Sequence, residues 1–102
     1  MELIEKLSDM IEEEIDDAEK YAKCALKYKT EYPELADTFI GLSGEEMRHK
    51  NMLHDQVERI IGKYREKNGE PPKEMKAIYD YLHRKQIEHA KAVKGYQEMY
   101  RE

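Results

Sequence analysis

The sequence predicts an all-α fold: three long antiparallel helices forming a helical bundle that is completed by oligomerisation. Three observations carry this reading. Apolar residues recur at helical spacing through three long stretches, and the three prolines fall at two joints only, Pro33 and Pro71-Pro72. The 40% charged and 39% hydrophobic fractions, rich in Ala, Leu, Glu, Lys, Met and Ile, suit a folded helical protein rather than a disordered chain. A chain of 102 residues makes one domain spanning residues 1–102. A chain of that size buries only roughly two thirds of its unfolded surface.

The first helix is expected over about residues 2–30. Leu3, Ile4, Leu7, Ile11, Ile15, Ala18, Ala22 and Ala25 form its stripe. Glu2, Glu5 and Asp9 stand at the positive end of the helix dipole, and Lys23, Lys27 and Lys29 at the negative end. Glu31-Tyr32-Pro33 is the first joint, because a residue before proline avoids the helical region and proline is accepted in a helix's first turn.

The second helix is expected over about residues 33–67, roughly 50 Å at 1.5 Å per residue. Gly41 and Gly44 lie inside it and mark either close approach of a neighbouring helix or a local bend. Asn68-Gly69-Glu70-Pro71-Pro72 ends it with a capping glycine and prolines beyond. The third helix, over about residues 73–101, carries Met75, Ile78, Leu82, Val93, Tyr96 and Tyr100 on one stripe. Joints this short make neighbouring helices antiparallel. Ile40, Met47 and Ile61 widen the apolar arc of the second helix beyond its main stripe, which calls for a second subunit to cover it, as a homodimer or higher homo-oligomer.

The charge distribution excludes several partners. Net charge is −5 with both signs mixed along the chain, so no basic stripe offers a nucleic-acid footprint. No apolar run approaches the ~20 residues of a membrane span. Met1-Glu2-Leu3-Ile4-Glu5 lacks the basic-then-apolar order of a signal peptide, so a cytoplasmic location is expected. Cys24 is the single cysteine, which rules out an internal disulfide or a cysteine-pair metal knuckle within one protomer. Any metal chemistry therefore uses Glu, Asp and His.

The chemistry-bearing residues are those that occupy positions where a core residue belongs. Leu35, Phe39, Leu42, Leu53, Val57, Ile60 and Tyr64 all fall within about 40° of Glu46, and His49 lies about 60° to one side. A lone carboxylate in a core costs several kcal/mol or surrenders its charge, so Glu46 requires a partner. Glu14 holds a similar place on the first helix, whereas Glu12, Asp16 and Glu19 are expected to point away. On the third helix, His89 lies about 20° from Leu82 and Gln86 about 40° on the other side. Glu14, Glu46, His49, Gln86 and His89 are thus expected to converge. Carboxylates and imidazoles on facing helices suit iron, manganese or zinc. The competing assignments are a mutual hydrogen bond between Glu46 and His49, a salt bridge from Glu14 to Lys50, and His89 as a satisfied core histidine. His54 and His83 lie off the stripes and are expected to be inert, Cys24 to be a small filler, and Tyr28, Tyr64, Tyr96 and Tyr100 to suit a half-exposed bundle end.

These residues resemble the ferritin-like superfamily, most closely its rubrerythrin-like branch. Glu14, with Tyr21 two turns on and Ala25 beyond it, is similar to that family's first-helix motif, and Glu45-Glu46-Met47-Arg48-His49 to its second; the likeness covers about residues 10–65. It implies an iron site, with two irons where the set is complete, in which Glu14 and Glu46 bridge, His49 is a terminal ligand, His89 is a further ligand, and Tyr21 and Gln86 are neighbours of the ligands. It also implies oxidation of ferrous iron by dioxygen or peroxide, a ferroxidase- or peroxidase-type activity. The chain departs from the family in having one helix after the first pair instead of two, and Gln86-x-x-His89 in place of Glu-x-x-His. No rubredoxin-like cysteine module is present. Encapsulated ferritins are similar in using one glutamate and one Glu-x-x-His per chain, completed across a dimer. The alternative function is a metal-free oligomeric helical protein that holds a small anionic ligand, such as a nucleotide, or a partner helix.

Overall fold

The computed structural model describes residues 2–102. Three helices follow one another, α1 (Glu2–Tyr28), α2 (Pro33–Asn68) and α3 (Lys73–Arg101), with no strand among the described residues, so the chain is an all-α helical bundle. α1 ends two residues earlier than the stripe predicts. Pro33 keeps Tyr32 out of the helical region, at φ −133° and ψ 69°, and the Tyr32 N–H closes the last turn on the Tyr28 carbonyl at 2.8 Å. Gly69 caps α2 at φ 74°, its N–H donating to the Arg65 carbonyl at 2.9 Å. Acidic residues open each helix and basic residues close it, matching the dipoles.

α1 is the central element. Ile4, Ile11, Ile15, Ala18, Ala22 and Ala25 are buried along it, and Ile11, Ile15 and Ala18 join Val93 of α3 in the core, with Met47, Leu53 and Val57 of α2 packed against them. Ser43 Oγ donates to the Ala18 carbonyl at 2.7 Å while His49 lies beside Glu14, so α2 runs antiparallel to α1. Gln86 meets Ser8, and Tyr100 meets Lys29, so α3 runs parallel to α1 and antiparallel to α2. The result measures 56 × 19 × 18 Å. Both outer helices rest on α1 and hardly touch each other, which leaves a groove between them.

Two expectations about α2 are corrected. Its buried residues are Ala36 and Ser43, while Leu35 and Leu42 of the expected stripe are 44% and 36% exposed. The line that meets α1 is therefore rotated by about 60° from Glu46 toward Ser43. Small residues set it: the alanines of α1 admit α2 most closely where α2 is also small, and bulkier side chains splay to either side. A Cβ added at Gly41 or Gly44 would meet no atom within 4 Å, so neither glycine serves a close approach within the chain. Among the described residues no helix is long and apolar enough to cross a membrane.

Candidate metal centre

Glu14 stands on α1 between the buried residues Ile11, Ile15 and Ala18, which hold that face against the neighbouring helices. Facing it from α2 are Glu46 and, one turn later, His49. Helical spacing i,i+3 puts the latter two on one side of α2. His49 Nδ1 lies 3.5 Å from Glu14 Oε2 and 3.7 Å from Glu46 Oε2. One donor atom from each of Glu14, Glu46 and His49 fits within a 4.8 Å group. The expectation that these three residues come together is met.

The electrostatics of the group are unbalanced. Glu14 Oε2 is buried and has no hydrogen-bond partner among the described residues, since the nearby imidazole nitrogen sits at ion-pair rather than hydrogen-bond geometry. The Glu46 carboxyl is held above the usual carboxylate range, first by its hydrogen-bonding contact with Glu14, then by burial and the Glu14 charge, with His49 opposing. Two carboxylates this close are relieved in one of two ways: Glu46 keeps a proton and offers it to Glu14, or a cation lies between them. The donor set of two carboxylates and an imidazole fits a hard or borderline divalent ion such as iron, manganese or zinc.

His89 and Gln86 do not join this group. His89 Nε2 is hydrogen-bonded to Glu19, and its Nδ1 lies 3.9 Å from Glu12 and 3.8 Å from Asp16. The Glu19 carboxyl is held low, chiefly by its hydrogen bond with Lys23 and then by His89. Gln86 is buried and donates from Nε2 to Ser8 Oγ at 2.9 Å, fastening α3 to α1. The reason is positional. Glu12, Asp16 and Glu19 lie roughly 140–160° around α1 from Glu14, and α1 runs between its two neighbours, so α2 and α3 present their polar stripe residues to different sides of it. Glu12, Asp16 and Glu19 do point away from the Glu14 stripe, and the side of α1 they occupy is the one that meets His89 of α3. Their spacing at i, i+4 and i+7 was the available signal. Tyr21 stacks on Phe39 with centroids 6.1 Å apart, forming an aromatic wall on the α1–α2 side, and makes no hydrogen bond to Glu14.

Two further features escaped the sequence reading. Lys50 does not reach Glu14; with Lys91, Lys94 and Arg101 it lines the groove between α2 and α3, beside Met47 and Ile87. Burial lowers its pKa. His54 and His83, expected to be inert, approach each other across the same groove at 2.9 Å between Nε2 atoms. No protein-family model, curated protein or solved structure matches the chain.

Proposed function

We propose that this chain is a ferritin-like metal-binding protein that holds iron, or a similar divalent ion, through Glu14, Glu46 and His49. One observation carries the reading: a buried carboxylate oxygen, Glu14 Oε2, is left without a hydrogen-bond partner next to a second carboxylate and an imidazole. A quarter of the Glu14 side chain is exposed, so solvent reduces the cost of leaving that oxygen unpaired, and a divalent cation offsets the remainder without requiring Glu46 to hold a proton. In this reading Glu14 and Glu46 supply the negative charge and His49, at the outer edge with 44% of its side chain exposed, supplies a nitrogen ligand and faces incoming solvent. Iron held there supplies electron exchange with dioxygen or peroxide, while the protein sets geometry and access.

Three donors per chain are half of what a two-metal site uses. Leu35 and Leu42 lie within about 40° of Glu46 around α2 and are exposed in one protomer. A second copy seated on that face would cover them and bring a second Glu14, Glu46 and His49 to the first set. His89 has no part in this arrangement, because its nitrogens already face Glu12, Asp16 and Glu19. The second reading, a small anionic ligand bound without metal, is favoured by the row Lys50, Lys91, Lys94 and Arg101 along the groove.

Elemental analysis of protein purified without chelator distinguishes these functions. Iron or manganese is expected in simple stoichiometry with wild-type chain and is lost in Glu46→Ala. Wild-type protein that carries no metal and takes up no added Fe²⁺ overturns the metal reading and leaves the groove as the functional surface.

A further inference from the structure

His54 and His83 lie outside the carboxylate site and come from two helices that hardly touch each other. Their Nε2 atoms stand 2.9 Å apart, with ring planes inclined by 24° and centroids separated by 4.8 Å. The centroids lie well beyond the nitrogens, so the rings meet tip to tip rather than face to face. Two imidazole lone pairs cannot confront each other at that distance; a proton or a metal ion has to lie at the junction. Nitrogen ligands at about 2.0–2.1 Å from a tetrahedral ion stand roughly 3.3–3.4 Å from each other. The observed 2.9 Å is a hydrogen-bond separation, and the two ring tips open by about 0.4 Å to admit the ion.

Glu58 Oε1 lies 3.7 Å from the other nitrogen of His54, Nδ1, one turn along α2. With the proton on Nδ1, His54 Nε2 keeps its lone pair, which accepts from His83 Nε2–H in the metal-free chain and is available to an ion when one is present. Both histidines line the two adjoining cavities of the groove, of about 430 and 480 Å³, so an ion can reach them from solvent. Asp80, three residues before His83, also lines the first of these cavities. No third His, Cys, Asp or Glu stands within 4.8 Å of the pair among the described residues, so solvent from the groove completes the ion's coordination.

We propose that His54 and His83 form a second metal site, separate from the carboxylate site, for a borderline divalent ion of the zinc class. Imidazole nitrogen suits zinc, nickel and cobalt, whereas the carboxylate-rich group at Glu14 suits harder ions. A bound ion clips α2 to α3 across the open groove and holds its two walls at fixed spacing. The inference stands independently of the function proposed for Glu14, Glu46 and His49.

Calorimetric titration of Zn²⁺ into the chelator-stripped chain tests this, with Glu46→Ala as the starting protein so that the carboxylate site does not compete. One Zn²⁺ per chain is expected to bind, and binding is expected to be lost in Glu46→Ala/His83→Ala. Zinc binding that survives His83→Ala, or its absence from the starting protein, overturns the proposal. Wild-type chain with ¹⁵N-labelled histidine gives a readout that needs no substitution at α3. Zn²⁺ is expected to shift the Nε2 signals of His54 and His83 together, and shifts confined to His49 and His89 overturn it.

Discussion

At Glu46, 18% of the side chain is exposed and the Glu14 carboxylate holds its pKa up, so its protonation state is tied to folding. Its folded pKa lies above the unfolded value. The folded chain therefore binds this proton more tightly, and the associated stability is fully present below the unfolded pKa and lost as pH rises through the folded pKa. Glu46→Gln is accordingly expected to raise the midpoint of metal-free protein at neutral pH. That difference should shrink as the pH falls below the carboxylate range, and a thermal melt series against pH checks it. An unchanged midpoint at neutral pH contradicts the shared-carboxylate geometry. Glu19 has the opposite sign: its pKa is held low, so its contribution is present above the unfolded pKa and fades as pH falls through the folded one. At this scale Glu14, Glu46 and His49 were legible, because polar residues interrupted two apolar stripes at positions on adjacent antiparallel helices. His54 and His83 were not, since nothing in their local spacing relates a flank of α2 to a flank of α3.

Between elements, the decisive seam is the one where α1 and α2 meet through small residues. Ala18, Ala22 and Ala25 of α1 and Ala36 and Ser43 of α2 are all fully buried, and the serine is shared by all three helices: Ser43 Oγ donates to the Ala18 carbonyl and accepts from Gln97 Nε2 at 2.9 Å. Ser43→Ala keeps the volume nearly unchanged and removes both bonds, leaving the Gln97 amide without this partner. A loss of about 1–3 kcal/mol is expected, with helicity retained, measured by urea denaturation followed by circular dichroism. A change within a few tenths of a kcal/mol would show that the bond carries no net stability. Helix ends were readable from Pro33, Gly69 and the proline pair because those residues act on their own backbone. The rotation of α2 was not readable, because a hydrophobic wheel weights large side chains whereas helix approach is governed by the small ones.

The whole protomer is a thin, open arrangement, 56 Å long and less than 20 Å across. Leu3, Leu35, Leu42, Met52, Ile78, Tyr81, Ile87 and Met99 remain more than a third exposed, and the seam between α2 and α3 is unfilled. A two-copy metal centre on the Glu46 side requires self-association. Light scattering at micromolar concentration is therefore expected to give a dimer or larger species for wild type. Leu35→Glu/Leu42→Glu should shift it to monomer while leaving helicity intact and lowering metal content. A strictly monomeric wild type contradicts the two-copy centre and leaves a single-ion site of three protein ligands.

Helical periodicity, terminal charges and two proline-bearing joints were enough to define three helices and their alternating direction, since each of those signals acts over a turn or two of chain. They were also enough to single out an acid and an acid–histidine pair on adjacent helices. Which polar residues share a site depended on the order of the helices around α1. With α1 in the middle, Glu14 turns one way toward Glu46 and His49, and Glu12, Asp16 and Glu19 turn the other way toward His89. Residues half a helical circumference apart cannot reach one ligand, however well each fits its own stripe.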